Sequence, residues 1–252
     1  MKLLKIIAIA TAIFVFITPI VFAMDFKNRI DMEHALIWQG KNQFQITNNA
    51  SGTRIDIKDN GGEPFLVHRL TYYRTLKGPH HLRLLIAPLE IKSDGILDRD
   101  VLFQNQLFQK SEFVSFTYKF NSYRVSYLYY KRMNDLWSWY VGGTLKVRDA
   151  KISIKGKNKN EEKNDLGLVP LLSFGIDCNP SFAKQMELSL DADALAAPQG
   201  RAEDISLKIS YIASEHIRIY IGYRMLEGGA DNKNVYTFAL FHYLIAGVRA
   251  SF

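Results

Sequence analysis

From Asp204 to Met225 the chain reads DISLKISYIASEHIRIYIGYRM, and large apolar side chains take every second position on either side of the ASEH turn. Ile205, Leu207, Ile209 and Tyr211 alternate with Ser206, Lys208 and Ser210. Ile217, Ile219, Ile221, Tyr223 and Met225 alternate with Arg218, Tyr220, Gly222 and Arg224. The preceding segment does the same, with Met186, Leu188, Leu190, Ala192 and Ala194 set against Glu187, Ser189, Asp191 and Asp193. A period of two puts each set on one face of a strand, whereas a helix would scatter both around its circumference. An all-β fold follows.

The same alternation predicts about ten antiparallel strands (eight to twelve by count), near 30–39, 64–76, 81–92, 115–132, 136–154, 166–177, 183–196, 203–213, 216–227 and 235–252. Short turns are expected at 76–80, 132–135, 178–181 and 214–216, where Gly, Pro, Asn and Asp gather. Longer connections are expected at 40–63, 93–114, 155–165 and 228–234, with 197–202 intermediate. Strands of about ten residues joined by alternating short and long connections are the pattern of an up-and-down transmembrane β-barrel.

Soluble barrels use similar hairpins but point their apolar face inward. Aromatic placement argues for the reverse orientation. Tyr72, Tyr127, Tyr129, Trp137, Trp139 and Tyr211 fall near the short turns, and Phe65, Phe116, Tyr118, Met225, Tyr236 and Phe238 fall near the long connections. Between these two levels the same faces carry mainly aliphatic residues. Two aromatic girdles flanking an aliphatic band are expected where a barrel meets lipid headgroups. A soluble periplasmic barrel that binds a small ligand remains the alternative.

The ends of the chain bear on the same choice. MKLLK is basic, IIAIATAIFVFITPIVFA carries no charge, and Val21 and Ala23 precede Met24 as small residues. This is the three-part pattern of a cleaved secretory signal peptide over residues 1–23, with an uncleaved anchor as the other reading. Removal leaves a single domain over 24–252 and lowers the net charge from +7 to +5 with the loss of Lys2 and Lys5. That surplus does not call for nucleic acid. Cys178 is the sole cysteine, so no intramolecular disulfide is expected.

The last strand, HYLIAGVRASF, stops on Phe252, with Val248 and Leu244 on the same face. A terminal Phe on an alternating strand, after a signal peptide and with no later apolar helix, resembles Gram-negative outer-membrane β-barrel proteins. The resemblance spans the mature chain and departs at Ala250 and His242, where that face is not aromatic or apolar. It implies that Phe252, Val248 and Leu244 act as a signal to the barrel-assembly machinery. It also implies residence in the cell outer membrane, against membrane lipid and lipopolysaccharide. The stretches LRLLIAPLEI, FNSYR, VRDAKI and LEGGAD resemble a family of barrels with no assigned activity.

With the apolar face outward, the lumen receives Arg69, Arg83, Arg124, Lys146, Arg148, Lys208, Arg218, Arg224 and Arg249, with Asp177, Glu187, Asp191, Asp193 and Asp204. Such charges need partners or water. Ten strands leave a lumen that side chains nearly fill. The expected role is therefore structural, surface-binding or that of a narrow, anion-favouring pore, without catalysis.

A hydrolase acting at the outer rim is the alternative from another class, with Asp191, Asp193, Asp204, Glu227 and Asp231 as its carboxylates. Histidines serve that reading poorly. His80, His81 and His216 fall in short turns, His242 shares the lipid-facing parity, His34 lies in the weakest strand, and only His68 approaches the rim. No metal-ligand spacing occurs and no cofactor is expected.

Overall fold

A computed structural model describes residues 27–60, 64–198 and 200–252. The expected signal peptide lies outside them. The chain forms β1 (Asn28–Gln45), β2 (Ile55–Asp56), β3 (Phe65–Lys77), β4 (His80–Ala87), β5 (Glu90–Ile96), β6 (Val101–Phe103) and β7 (Gln106–Phe108). It continues with β8 (Phe113–Arg132), β9 (Trp137–Lys155), β10 (Asn160–Cys178), β11 (Met186–Ala197), β12 (Gly200–Ile212), β13 (Ile217–Asp231) and β14 (Tyr236–Ser251).

Each wall strand pairs antiparallel with its neighbours, and β14 returns to pair with β1 from Arg29↔Ser251 to Gln45↔Tyr236. The sheet is closed and has no free outer strand. β4 and β5 both pair with β8 and act as one wall strand interrupted at Pro88. Asn121 spans that break, its side-chain oxygen accepting from the Leu89 amide at 3.0 Å. The wall therefore has ten strands.

The faces are those of a membrane barrel. Leu66, Val125, Leu145, Leu172, Leu207, Ile221 and Leu244 are exposed on the outside, while Arg83, Arg124, Asp193, Asp204 and Arg249 are buried within. The soluble alternative requires the opposite arrangement, and these faces exclude it.

Several boundaries differ from those read in the sequence. β1 runs to Gln45, β9 to Lys155, β10 begins at Asn160, and β13 reaches Asp231. The segments read as long connections at 155–165 and 228–234 are thus mostly strand closed by tight turns. Beyond the lipid band both faces of a strand meet polar surroundings, so alternation fades although pairing continues.

The two remaining long connections fold inward over one end of the barrel. Ile46, Ile55 and Ile57 from the first, and Val101, Phe103 and Phe108 from the β6–β7 hairpin, pack with Phe44, Phe116, Phe241 and Ile154. Ile55 is held by β2, which pairs back onto Phe44 of β1. This apolar plug gives the barrel a hydrophobic core that a polar lumen cannot supply.

Inside the wall, two glycines accept rings from directly opposite partners. Tyr140 faces Gly175, and Tyr220 faces Gly247. A Cβ at Gly175 would meet the Tyr140 ring at 2.0 Å, so only glycine leaves room for it. Both tyrosine side chains reach over the opposite glycine and take up lumen space near the wall.

Candidate functional site

The lumen is organised around carboxylates that each hold several bases. Asp193 of β11 takes Arg83 from β4 at 2.6 Å and Arg124 from β8 at 2.8 Å. Arg124 also reaches Asp204 of β12 at 2.7 Å, and Asp204 binds Arg69 from β3 at 2.9 Å and Arg224 from β13. Arg224 continues to Glu33 of β1 at 2.9 Å, where Lys208 joins at 3.2 Å and Arg69 at 3.5 Å. The chain of contacts therefore crosses the full width of the barrel.

A second group lies nearer the short-turn end. Arg249 of β14 bridges Glu187 at 2.7 Å and Asp31 at 3.3 Å. Arg218 stands 3.5 Å from Glu187, and Tyr220 donates to Asp31. Small hydroxyls complete the shells: Ser126, Thr144 and Ser173 surround the Arg83 guanidinium, and Ser122 accepts from Arg124.

Asp31 and Glu33 are absent from the sequence-derived lumen set, yet each is central here. Their signal was present in DMEHALIW, where Asp31, Glu33, Ala35 and Ile37 share one parity. The buried charges now include Asp31, Glu33, Glu187, Asp193 and Asp204 against Arg69, Arg83, Arg124, Lys146, Lys208, Arg224 and Arg249. Asp191 is peripheral, accepting from the Tyr140 hydroxyl at 2.8 Å and lying 4.0 Å from Lys208. Asp177 lies in β10 beside Ser189, its pairing partner across β11.

The carboxylates assigned to the rim do not gather there. Asp193 and Asp204 lie within the ion-pair network, because β11 and β12 continue past them to Ala197 and Gly200. Glu227 pairs with Arg201, and Asp231 accepts from Asn48 at 2.8 Å. His68 faces outward against His34, with their Nδ1 atoms 2.6 Å apart, and His242 packs on Tyr223 and Trp38 outside the wall. Among the described residues no histidine faces a rim carboxylate, and no group of three metal-ligating side chains converges.

The girdle residues of the short-turn end lie on the outer surface. Tyr127 is exposed and its hydroxyl meets His80 at 2.6 Å, Tyr72 donates to Asn28 at 2.7 Å, and Tyr129 lies against Trp139. Trp137 is exposed on the outer face of β9, and Tyr211 shares the outward parity of Leu207 and Ile209. At the other level Phe238 lies beneath Lys41 and Arg201. Phe116 and Tyr118, expected in the same girdle, are instead buried in the apolar plug with Phe65 packed against it, because the inturned loops give that end an apolar interior. Phe252, Leu244 and Val248 are exposed on one outer face, and the Phe252 backbone exchanges two hydrogen bonds with Asn28 at 2.8 and 2.9 Å.

Two large cavities lie at the ends of the barrel. A cavity of about 500 Å³ lies beside the plug at the long-loop end, bounded by β8–β10 on one side and β11–β13 on the other. A wider one of about 890 Å³ opens at the short-turn end, lined by Arg29, Tyr73, His81, Tyr130 and Arg218 among others. Between them the lumen holds voids of about 30 and 10 Å³.

Among solved structures, the chain superposes on the outer-membrane protease OmpT from Escherichia coli with a TM-score of 0.51 at 8% identity, over 92% of this chain and 100% of that one. The fold is that of an outer-membrane β-barrel. At this identity the likeness concerns the fold of the barrel and not the activity of OmpT. Ail, the attachment invasion locus protein of Yersinia pestis, matches with a TM-score of 0.40 at 13% identity, over 90% of this chain and 99% of that one. Neisserial surface protein A matches at 0.37 and 12%, over 89% and 97%. No protein-family model and no curated protein matches the sequence.

Proposed function

We propose that this outer-membrane barrel is a non-conducting, surface-binding protein that works at its long-loop rim, with that rim facing outward and the short turns facing the periplasm. The observation that carries the reading is the ion-pair network across the middle of the lumen, where bases and carboxylates from β1, β3, β4, β8 and β11–β14 meet under an apolar plug. Voids of about 30 and 10 Å³ at this level have room for a water or two each, which supports a lumen too narrow for a hydrated ion. A narrow anion-favouring pore would need at least one row of bases facing open solvent at that level. There the guanidinium groups instead face carboxylates, and separating them would leave buried charges uncompensated.

The same reading assigns Arg69, Arg83, Arg124, Asp193, Asp204 and Arg224 to sealing the lumen and not to catalysis. It keeps Phe252, Val248 and Leu244 as the signal for membrane assembly, and residues 1–23 as the export signal. Lipid and lipopolysaccharide surround the exposed leucines and the girdle.

The test is a planar-bilayer recording of the purified barrel. Expected is a flat trace with no unit conductance steps at either polarity. A steady conductance with anion selectivity would replace this reading with the pore.

A further inference from the structure

The wall of the barrel is incomplete beside the rim cavity. β10 pairs with β11 only from Cys178↔Leu188 up to Leu172↔Ala194. β10 nevertheless stays paired with β9 as far as Asn160, and β11 stays paired with β12 as far as Gly200. Two paired hairpins therefore diverge above Leu172. Pro170 sits at this level and has no N–H to give a ladder, which suits the edge of a gap and not the middle of a sheet.

Val169 on β10 and Leu195 on β11 stand on opposite sides of the gap, and both line the rim cavity. The cavity thus adjoins the gap. The outer surface there is strongly apolar, with Leu166, Leu168 and Leu172 between 65 and 76% exposed on β10. Such leucines are at home against acyl chains.

The cavity is also charged in an unbalanced way. Lys146 lines it, is 2% exposed, and forms no ion pair with any described carboxylate. Its ammonium instead lies 4.4 Å from the centre of the Phe120 ring. Arg148, the next inward residue of β9, gives one nitrogen to Asp165 while its buried Nε has no partner. A buried ammonium without an anion is costly, whereas Arg69, Arg83, Arg124, Lys208, Arg224 and Arg249 each meet a carboxylate.

We infer that the rim cavity binds an acidic amphiphile, with its carboxylate or phosphate headgroup on Lys146 and Arg148 and its hydrocarbon chain leaving between β10 and β11. This deepens the surface-binding reading and rests on it. Apolar walls at Val169, Leu195 and Val235 receive the first part of the chain, and the outer leucines receive the rest. A volume of about 500 Å³ falls within the usual range for small-molecule sites.

The experiment measures fluorescence of dansyl-undecanoate, a carboxylate amphiphile, on addition of the barrel in a neutral maltoside detergent. Inorganic phosphate is titrated separately as a chain-free anion. Saturable binding is expected for the wild type and for Lys146→Arg. Lys146→Met should weaken it about tenfold or more, since a hydrogen-bonded charge is removed. Leu195→Trp should weaken it by narrowing the gap. Phosphate alone should bind poorly.

Lys146→Met should keep the wild-type unfolding temperature or raise it, because it removes an unpaired buried charge; a large fall would make Lys146 a structural residue and overturn the assignment. Equal binding of dansyl-undecanoate by wild type and Lys146→Met would also overturn it. Tight phosphate binding with no added affinity from the chain would reduce the site to one for small anions and overturn the role of the gap. Conductance separates the two levels. A barrel that is closed yet binds no amphiphile loses only this inference, whereas a conducting barrel loses the reading beneath it.

Discussion

Asp204→Asn is expected to lower the stability of the folded barrel by about 3 kcal/mol, near the lower end of what removing one partner of a buried pair costs. Asp204 is the hub that Arg69, Arg124 and Arg224 share. Asparagine keeps the shape but removes the charge, so three guanidinium groups lose one anion at once. The loss is partly offset, because Arg124 retains Asp193 and Arg69 and Arg224 retain Glu33. Asp191→Asn, at the margin of the network and 4.0 Å from Lys208, should cost far less. The measurement is the temperature at which the fast-migrating folded band disappears on SDS gels heated in steps. Equal transition temperatures for the two variants would mean that the network contributes little to holding the barrel together.

Gly247→Val is expected to prevent closure of the barrel outright. A Cβ at Gly247 would lie 2.3 Å from the Tyr220 ring and 2.5 Å from the Met32 carbonyl oxygen. The first contact belongs to β13 and the second to β1, so both neighbours of β14 would have to move. Tyr220 has no free rotamer to retreat into, being buried and tied through its hydroxyl to Asp31. Valine adds two methyl groups beyond that Cβ, and overpacking a filled site is destabilising in itself. The β14–β1 seam is what removes the sheet edge, and an unclosed barrel exposes unpaired backbone to lipid. Unboiled samples should therefore show little or no folded band in the membrane fraction. Gly143→Ala is the matched control: it lies on the same kind of strand with open space around its Cβ, and should behave as wild type. A normal folded band for Gly247→Val would show that the seam tolerates separation.

Together with the flat conductance trace and the Lys146 series, these variants test three separate levels of the molecule: the sealing network, the closure of the wall, and the rim. The rim inference rests on the closed, sealed barrel, but the barrel and its network do not rest on the rim. A stable, closed barrel without amphiphile binding, for example, would leave the fold and the network untouched.

The strands and their faces were legible because parity is a local property. Ile205 and Ser206 point to opposite sides of any strand they share, whatever lies beside it. The inversion of those faces was legible too, from arginines such as Arg83 and Arg224 on the face opposite the leucines and isoleucines, and from aromatics gathered at two levels. Alternation failed as a guide where both faces meet polar surroundings. GKNKNEEKND accordingly reads as a loop, although β10 begins at Asn160 and pairs with β9 throughout. Asp31 and Glu33 are hard to place from sequence for a related reason, since the strand that carries them shows the weakest alternation.

Partners across the lumen are a different kind of fact. Arg83 and Asp193 are 110 positions apart and meet only because the sheet closes, with β4 and β11 facing each other across a narrow lumen. The same closure places Phe103 of a hairpin against Phe44 of β1, and leaves Lys146 without an anion. The gap above Leu172 depends on where two ladders stop, which no single segment encodes. Sequence alone determined the repeating unit and which side of it faces lipid, because side-chain parity follows from backbone geometry within one strand. Tertiary structure decided which charges neutralise one another, what fills the lumen, and where the wall opens, because those outcomes depend on the register of ten strands joined end to end.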